Sequence, residues 1–251
     1  MSLWSGFLTN QERLIHKWKH YFPVYERHFE KFVNTDVIFI EIGCGEGGSL
    51  QMWKRYLGPH ARIIGIDINP ACAAFAEDQI DIRIGDQANP TFLNAIVQEF
   101  GPPDVILDDG SHIMAHVCAS FALLYPSVSR NGVYVVEDLH TAYWEEYEGG
   151  LKREGSFIEY CKDLIDELNA DHTRGAVQPT PFTLSTLSMH FYDSIVVFEK
   201  GRHTIKHAPQ IGKRGHKSES VQIDRDRGTP RGATPPPPPG IRVRTTAVRP
   251  G

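Results

Sequence analysis

An alternation of apolar strand patterns with helical patterns limits the possible folds most strongly. The strand-like segments are VIFIEIG at 37–43, RIIGIDI at 62–68, DIRIGD at 81–86, DVILDD at 104–109 and GVYVVEDL at 132–139. The helical patterns between them cover 49–58, 71–79, 90–101 and about 112–125. Continuous apolar runs of this kind are typical of parallel strands that are buried on both faces. The alternation therefore predicts an α/β fold with a mostly parallel sheet between two layers of helices.

Two further patterns frame these strands. Before them, aromatic residues recur at helical spacing over 11–33, and we expect Pro23 to break or kink this helix. After them, we expect a helix around 156–169 and then a hairpin whose strands flank Asp193–Ser194. The predicted fold is thus a doubly wound sheet with a C-terminal antiparallel hairpin.

Acidic residues lie at the carboxyl end of each of the first five predicted strands. They are Glu41, Asp67, Asp86, Asp108 with Asp109, and Glu137 with Asp138. Ligands of open α/β sheets bind beyond these strand ends. An ionised carboxylate is unfavourable in a protein interior unless a partner compensates it. Asp108 and Asp109 must therefore lie at an opening or beside a cation.

The charge is unevenly distributed along the chain. Residues 206–251 carry about +7 and residues 1–205 about -12, within a net charge of -5. Because the 206–251 segment is rich in Pro, Gly and charge, we expect a disordered tail after a domain at 1–205. We assign no function to this tail and expect no nucleic-acid partner.

Other sequence features argue against a membrane-spanning, a secreted and a cysteine-stabilised protein. No apolar stretch is long enough to span a membrane, and the N-terminal segment lacks the apolar core of a secretion signal. We therefore expect a cytoplasmic protein without a membrane partner. The four cysteines are scattered and form no CxxC pair, which argues against a zinc knuckle and against a disulfide framework.

A glycine-rich turn, EIGCGEGGS, follows the first predicted strand. Its glycines fit the GxGxxG pattern, and Asp67 stands 24 residues after Gly43, where a carboxylate can hold ribose hydroxyls. A nicotinamide dinucleotide, and with it a reductase, is one interpretation. Glu41 and Glu46 would repel a pyrophosphate, however, and they suit a nucleoside that carries an ammonium group better.

Several motifs together resemble a known family. The ExGxGxGGS turn, the GIDI strand, the GD step at 85–86, DDGSH and VEDLHTAYW are similar to those of class I S-adenosylmethionine-dependent methyltransferases. More narrowly, they resemble the magnesium-dependent sugar O-methyltransferases that act on macrolide deoxysugars and rhamnosyl groups. The resemblance spans about residues 10–201. It implies a Rossmann-like seven-stranded sheet, S-adenosylmethionine and magnesium as cofactors, and a sugar or glycoside substrate.

The same resemblance implies a cofactor site. Its residues are Glu41, Gly43 and Gly45 around the methionine part, Asp67 at the ribose, Asp86 and Gln87 near the adenine, Asp108 toward the cofactor side or backbone amides, and Ser49 as a further cofactor-binding residue. For Glu41 and Gln87, a loop contact without a ligand is the alternative. The larger macrolide-sugar enzymes carry a long domain before the aromatic helix. The resemblance therefore does not fix the oligomeric state of this chain, and a homodimer is one option.

The resemblance also implies a metal site. In the family's strand order the fourth and fifth strands are neighbours, so Asp109, Glu137 and Asp138 would converge, and an all-oxygen set suits magnesium. By analogy His112 is the base, and helix capping or a backbone hydrogen bond is the alternative. Ser111 is expected to cap the helix that follows. A zinc pair of His112 with His116 lacks an HExxH motif and a third soft ligand.

His140, Tyr143 and Trp144 follow the second acidic pair, and we expect them in a loop that covers the acceptor. The alternative is that these aromatic side chains only pack against the protein. The leading hypothesis is methyl transfer to a sugar hydroxyl of an antibiotic glycoside or of a polysaccharide precursor such as a mannose oligosaccharide. The alternatives are catechol-type methylation of a small phenol and a cofactor-binding subunit without chemistry.

Overall fold

A computed structural model describes residues 2–203 and 206–212 of the chain. Seven strands form one sheet: β1 (Ile38–Ile42), β2 (Arg62–Asp67), β3 (Ile80–Ile84), β4 (Val105–Asp108), β5 (Val133–Val136), β6 (Thr186–Tyr192) and β7 (Ile195–Lys200). Their order is β3-β2-β1-β4-β5-β7-β6. The first five strands pair in parallel, whereas β7 is antiparallel to both β5 and β6. The predicted doubly wound sheet with a C-terminal hairpin is confirmed.

Seven α-helices accompany the sheet in the described part of the chain: α1 (Leu3–Leu8), α2 (Phe22–Phe29), α3 (Gly48–Leu57), α4 (Pro90–Phe100), α5 (Met114–Leu124), α6 (Phe157–Leu168) and α7 (Pro181–Ser185). Alternate strand residues enter two separate cores, as Phe39 and Ile40 do. Helices α1 to α3 cover the first core, and α4 to α6 cover the second. The sheet is therefore buried on both faces, as its apolar strands require.

An aromatic cluster fixes the N-terminal helices to the sheet. The rings of Tyr25, Phe29 and Phe39 surround Trp53, with centroids 5.1, 5.6 and 5.2 Å from its ring centroid. All four side chains are fully buried. Contacts of this kind between aromatic rings add to the stabilisation that burial provides. The N-terminal segment is therefore part of the fold.

The prediction of one helix over 11–33 was wrong in its first half. Residues 10–18, which we call the strap, contain no helix or strand, and α2 begins at Phe22 with Pro23 in its first turn. Proline is tolerated there because the first N–H groups of a helix have no partner within the helix. Pro23 therefore begins a helix rather than kinking one.

Two other predicted helices differ in detail. The segment expected as a helix over 71–79 is a short 3-10 helix, Pro70–Phe75. Helix α5 begins at Met114 with Ile113 at the N-cap position, so Ser111 does not cap it. The Ser111 hydroxyl instead accepts a hydrogen bond from the Ile113 N–H at 3.3 Å.

The strap crosses the start of α3. A Cβ atom on Gly48 would lie only 2.1 Å from the carbonyl oxygen of Leu14, so the close approach requires glycine. Arg13 anchors the strap by donating to the carbonyl of Phe75 at 2.8 Å and by an ion pair with Glu77 at 3.1 Å. The strap is thereby held against the glycine-rich turn.

The chain divides into two units, Met1–Lys206 and His207–Gly251. Residues 207–212, the described part of the second unit, contain no helix or strand. Residues 213–251, most of the tail for which we predicted disorder, lie outside the described ranges. Within those ranges, no helix combines the length and the apolar character that a membrane crossing requires.

Candidate active site

Two cavities, both lined by Gly43, open at the carboxyl edge of the sheet. The first has a volume of about 310 Å³ and is lined, among others, by the strap and by Gly45, Ser49, Asp109, His112, Glu137 and Asp138. The second, of about 210 Å³, is lined beyond β2 and β3 by Asp67, Asp86 and Gln87. They adjoin β1 and β4, where the strand order reverses and ligands bind in such sheets.

The glycine turn is shaped by close contacts. Gly43 has φ +85°, and a Cβ atom there would lie 2.1 Å from the carbonyl oxygen of Asp109. The N–H of Gly45 donates to Oδ2 of Asp67 at 3.0 Å, and the N–H of Asn69 donates to Oδ1 at 2.9 Å. Asp67 therefore ties the turn to the end of β2 and lines the second cavity.

Glu41 lies beneath the turn and is fully buried. Its carboxylate accepts hydrogen bonds from the Ser49 hydroxyl at 2.8 Å and from Lys17 Nζ at 3.1 Å. Burial raises the pKa of Glu41, and these two donors counteract part of that effect. The structure thus joins Glu41 and Ser49, two of the residues that the resemblance assigns to the cofactor site.

Asp108 points away from the first cavity into the core beneath α5. Its oxygens accept hydrogen bonds from the hydroxyls of Ser120 at 2.5 Å and Tyr134 at 3.2 Å, and from Nε2 of Gln87 at 3.2 Å. Burial raises the pKa of Asp108. These side-chain partners are all neutral, so this carboxylate is held without a cation.

Gln87 and Asp86 differ in burial. Gln87 is buried, and its Oε1 accepts from the Ser111 N–H at 2.7 Å, which connects the ends of β3 and β4. Asp86 is exposed and accepts from the Ala88 N–H at 2.8 Å. Both line the second cavity, and their place near an adenine stays a prediction.

Asp109 faces the opposite way and contacts a buried lysine. Lys17 Nζ lies 2.7 Å from Oδ2 of Asp109, 3.1 Å from Oε1 of Glu41 and 3.1 Å from Oε2 of Glu137. The Lys17 side chain is only 3% exposed. Burial alone lowers the pKa of Lys17, but attraction to the three carboxylates outweighs it and raises this pKa well above its usual value. One ammonium group therefore joins the cofactor end of the site to the predicted metal end.

Glu137 is buried and has partners at both oxygens. The Tyr25 hydroxyl donates to Oε1 at 2.5 Å, and Lys17 donates to Oε2. Burial raises the pKa of Glu137 to about 8, although attraction to Lys17 lowers it. Tyr25 and Lys17 thus hold this carboxylate at the end of β5.

Asp109, His112 and Asp138 form the partly exposed face of the cluster. Nε2 of His112 lies 3.9 Å from Oδ1 of Asp109 and 3.8 Å from Oδ2 of Asp138. One ligand atom of each residue lies within 4.8 Å of the others. His112 and Asp138 have φ +59° and +53°, a region that non-glycine residues rarely adopt. Such strain is found at functional sites more often than elsewhere.

The predicted acceptor residues lie in the turns after β5. Nδ1 of His140 lies 2.5 Å from the Ser194 hydroxyl oxygen, and the His140 ring centroid is 4.8 Å from that of Trp144. Tyr143 is 50% and Trp144 45% exposed. Exposed aromatic surface is therefore available in these turns, and its contact with an acceptor stays a prediction.

Sequence reasoning missed Lys17 as a site residue, and for Tyr21 and Tyr25 it favoured core packing over closing the cofactor end of the site. The Tyr21 hydroxyl donates to Oδ1 of Asp138 at 2.8 Å. The signal available in the sequence was the helical spacing of aromatic residues over 11–33, and it favoured packing for the two tyrosines. His116 also departs from the pairing considered for zinc: its Nδ1 lies 3.0 Å from the Ser111 hydroxyl, and no described cluster of metal-ligating groups combines it with His112.

The strand order, the glycine turn after β1 and the acidic strand ends define a class I methyltransferase fold. Curated relatives narrow this class. The chain is 39% identical over 202 residues to mycinamicin VI 2''-O-methyltransferase of Micromonospora griseorubida, covering 73% of this chain and 49% of the relative. It is 37% identical over 214 residues to demethylmacrocin O-methyltransferase of Streptomyces fradiae, covering 79% and 52%.

A solved methyltransferase structure is also similar to this chain. The MycE methyltransferase of the mycinamycin pathway, in complex with Mg, SAH and mycinamycin VI, is 35% identical and superposes with a TM-score of 0.72 over 85% of this chain and 56% of that chain. No protein-family model matches the sequence. The chain spans about half the length of the curated relatives it matches. It is a homologue of sugar O-methyltransferases, which confirms the resemblance noted in the sequence.

Proposed function

We propose that this protein transfers a methyl group from S-adenosylmethionine to a sugar hydroxyl of a glycoside, with the help of a divalent cation. The observation that carries this proposal is the meeting of Asp109, His112 and Asp138 at a cavity that the glycine turn also lines. The relatives support it, because they are named O-methyltransferases of glycosylated antibiotics. Neither catechol methylation nor a subunit without chemistry is favoured by these comparisons.

The two cavities suit the two ends of the cofactor. Asp67 and Gln87, in the second cavity, would hold the ribose and the adenine, and Gly45 with Ser49, in the first, would border the methionine part. When bound, S-adenosylmethionine supplies a methyl group on a positively charged sulfur. Glu41 lies directly behind Ser49 and provides negative charge near that end.

The carboxylates around the first cavity fit a hard divalent cation. Lys17 already contacts both Asp109 and Glu137, so these two carboxylates are close enough to share one positive charge. Asp109, Glu137 and Asp138 would hold magnesium, and Glu137 would exchange its contact with Lys17 for the ion. An ion held there would orient neighbouring hydroxyls and lower their pKa.

His112 is the proposed base. Its Nε2 lies between Asp109 and Asp138, on the side of the cluster that opens to the cavity. The His112 imidazole would accept the proton of the acceptor hydroxyl as the hydroxyl oxygen takes the methyl group, which S-adenosylmethionine would supply with S-adenosylhomocysteine as the leaving group. The products are a methyl ether and S-adenosylhomocysteine, and the proton remains on His112.

The acceptor is a glycosylated small molecule or, on the narrower prediction, a polysaccharide precursor such as a mannose oligosaccharide. His140, Tyr143 and Trp144 would contact it at the opening of the first cavity. The cytoplasmic localisation, the homodimer and the separate tail at 206–251 stay predictions.

A mass-spectrometric acceptor screen tests the proposed function. The full chain is incubated with S-adenosylmethionine and a panel of glycosides, oligosaccharides and catechols, with and without EDTA. We expect a gain of one methyl mass on glycosides only, which EDTA abolishes and which Asp81→Asn, a surface control, retains. Methylation confined to catechols, or calorimetric binding of NADH without binding of S-adenosylhomocysteine, would contradict the proposal.

A further inference from the structure

A chain of aromatic rings connects Trp18 and His112, two residues that line the first cavity. Trp18, in the strap, lines this cavity, and its ring centroid lies 5.9 Å from that of His140. Trp144 follows at 4.8 Å from His140, and Tyr147 at 6.0 Å from Trp144. The ring of Tyr147 lies 6.1 Å from that of His112. The rings therefore extend from the strap to the proposed base.

Trp18 is unusual in this chain of rings because it comes from the N-terminal segment. Its neighbour Lys17 is 3% exposed and contacts the carboxylates, whereas Trp18 is 51% exposed. Consecutive residues of the strap thus place a cation inside the site and a large apolar ring at its opening. A large apolar ring that borders a polar cavity is more informative than a single exposed hydrophobic residue elsewhere on the surface.

We propose that Trp18 is a specificity-determining residue that contacts the sugar ring of the acceptor; this inference rests on the proposed function. A pyranose ring has an apolar C–H face and a polar hydroxyl edge. The cavity offers the same division, because Trp18 is 51% exposed, whereas the carboxylate side chains of Asp109 and Asp138 in the same lining are only 20% and 21% exposed. Pockets of this kind bind through apolar surface and take their orientation from a few polar groups. The acceptor class is therefore a glycoside bound by one sugar face.

The principal test compares kinetic constants of Trp18→Ala and wild type with a glycoside that wild type methylates. We expect KM for the glycoside to rise about tenfold, the loss typical of a buried aromatic contact, with kcat within about twofold. Trp18→Phe keeps an aromatic face and should raise KM only about twofold. Calorimetry should show the same affinity for S-adenosylhomocysteine in all variants, because Trp18 is assigned to the acceptor.

Phe191→Ala is the matched control. Phe191 is also a large exposed aromatic residue, at 47%, but it lies on β6 at the edge of the sheet. Its replacement should leave KM for the glycoside unchanged. An equal rise of KM in both variants would contradict a specific role of Trp18.

The outcomes separate this inference from the proposed function. An unchanged KM in Trp18→Ala, or a parallel loss of affinity for S-adenosylhomocysteine, would overturn the role of Trp18. If wild type methylates no glycoside, the tryptophan fluorescence of wild type and Trp18→Ala is titrated with the same glycosides. Quenching that only wild type shows would support the contact while the proposed function fails, and its absence would reject both.

Discussion

Asp108 and Asp109 are adjacent in the chain, yet their surroundings are opposite. Asp108 is enclosed by two hydroxyls, one side-chain amide and the backbone N–H of Gly110, all of them neutral. Asp109 contacts the ammonium group of Lys17 at 2.7 Å and turns its other oxygen toward His112. Successive residues at a strand end point to opposite faces, so one carboxylate enters the core beneath α5 and the other enters the cavity.

The two aspartates show two ways in which a protein stabilises a carboxyl group away from water. Neutral donors around Asp108 connect strand ends to α5 and leave no open side for a ligand. The cluster around Asp109 has one cation for several carboxylates and keeps an open side at Asp138. We infer that the first arrangement serves stability and that the second serves binding and catalysis.

Removal of the buried cation should have the largest effect. Lys17→Met leaves Glu41, Asp109 and Glu137 close together without their shared partner, so we expect the free energy of unfolding to fall by about 3–5 kcal/mol. Urea denaturation in metal-free buffer measures this change. Lys54→Met removes a more exposed lysine that pairs with Glu77, and it should cost less than about 1 kcal/mol. Equal losses in both variants would contradict the distinction.

Asp109→Asn should reduce turnover more than Asp108→Asn. We expect kcat to fall about 10²–10³-fold, because a charged group that lines the first cavity and is proposed to hold the metal is lost, while S-adenosylhomocysteine still binds. Kinetics and calorimetry on the same preparations separate the two effects. Asp108→Asn, with a kcat reduced less than about tenfold, is the paired comparison; a larger loss at position 108 would reverse our assignment of roles.

His112→Gln should lower kcat about 10²-fold or more, the usual contribution of a positioned base. The metal ligands proposed here do not include this imidazole, so the affinity for magnesium should change by less than about threefold. His60→Gln, at an exposed position that lines neither cavity, serves as the control for loss of an imidazole. Equal activity of the His112 variant and wild type would exclude it as the base.

The smallest expected effect concerns pH and Asp108. Burial raises the pKa of this carboxyl above its value in the unfolded chain, so the folded state holds its proton more tightly. The contribution of Asp108 to stability is therefore full below about pH 4 and decreases as pH rises through its folded pKa. Urea denaturation at several pH values should show that the advantage of wild type over Asp108→Asn shrinks with rising pH. A growing advantage would contradict this sign.

Much of the fold followed from the sequence because its evidence is local. Apolar strands such as the one predicted at 62–68, and the glycine turn, can be identified from a few consecutive residues. Once the strands are known, the acidic residues at their ends can be identified as well. Asp109 and Glu137 could be paired because β4 and β5 are neighbours in the family whose motifs the chain carries.

The strap and its lysine could not be predicted in the same way. Lys17 meets Asp109 across 92 residues, and no periodic pattern marks residues 10–18. The helical spacing of the aromatic residues was real in α2 but was extended too far, because Pro23 suits a helix start as well as a break. Which oxygen of Glu137 accepts from Tyr25 is likewise a matter of tertiary packing.

The most direct test of whether Asp109, and not Asp108, holds the metal is calorimetric titration with magnesium. It uses wild type, Asp108→Asn and Asp109→Asn, each saturated with S-adenosylhomocysteine. We expect magnesium to bind wild type and Asp108→Asn in a way that EDTA reverses, and its affinity for Asp109→Asn to be at least about tenfold lower. Undiminished binding to Asp109→Asn, together with loss in Asp108→Asn, would contradict it.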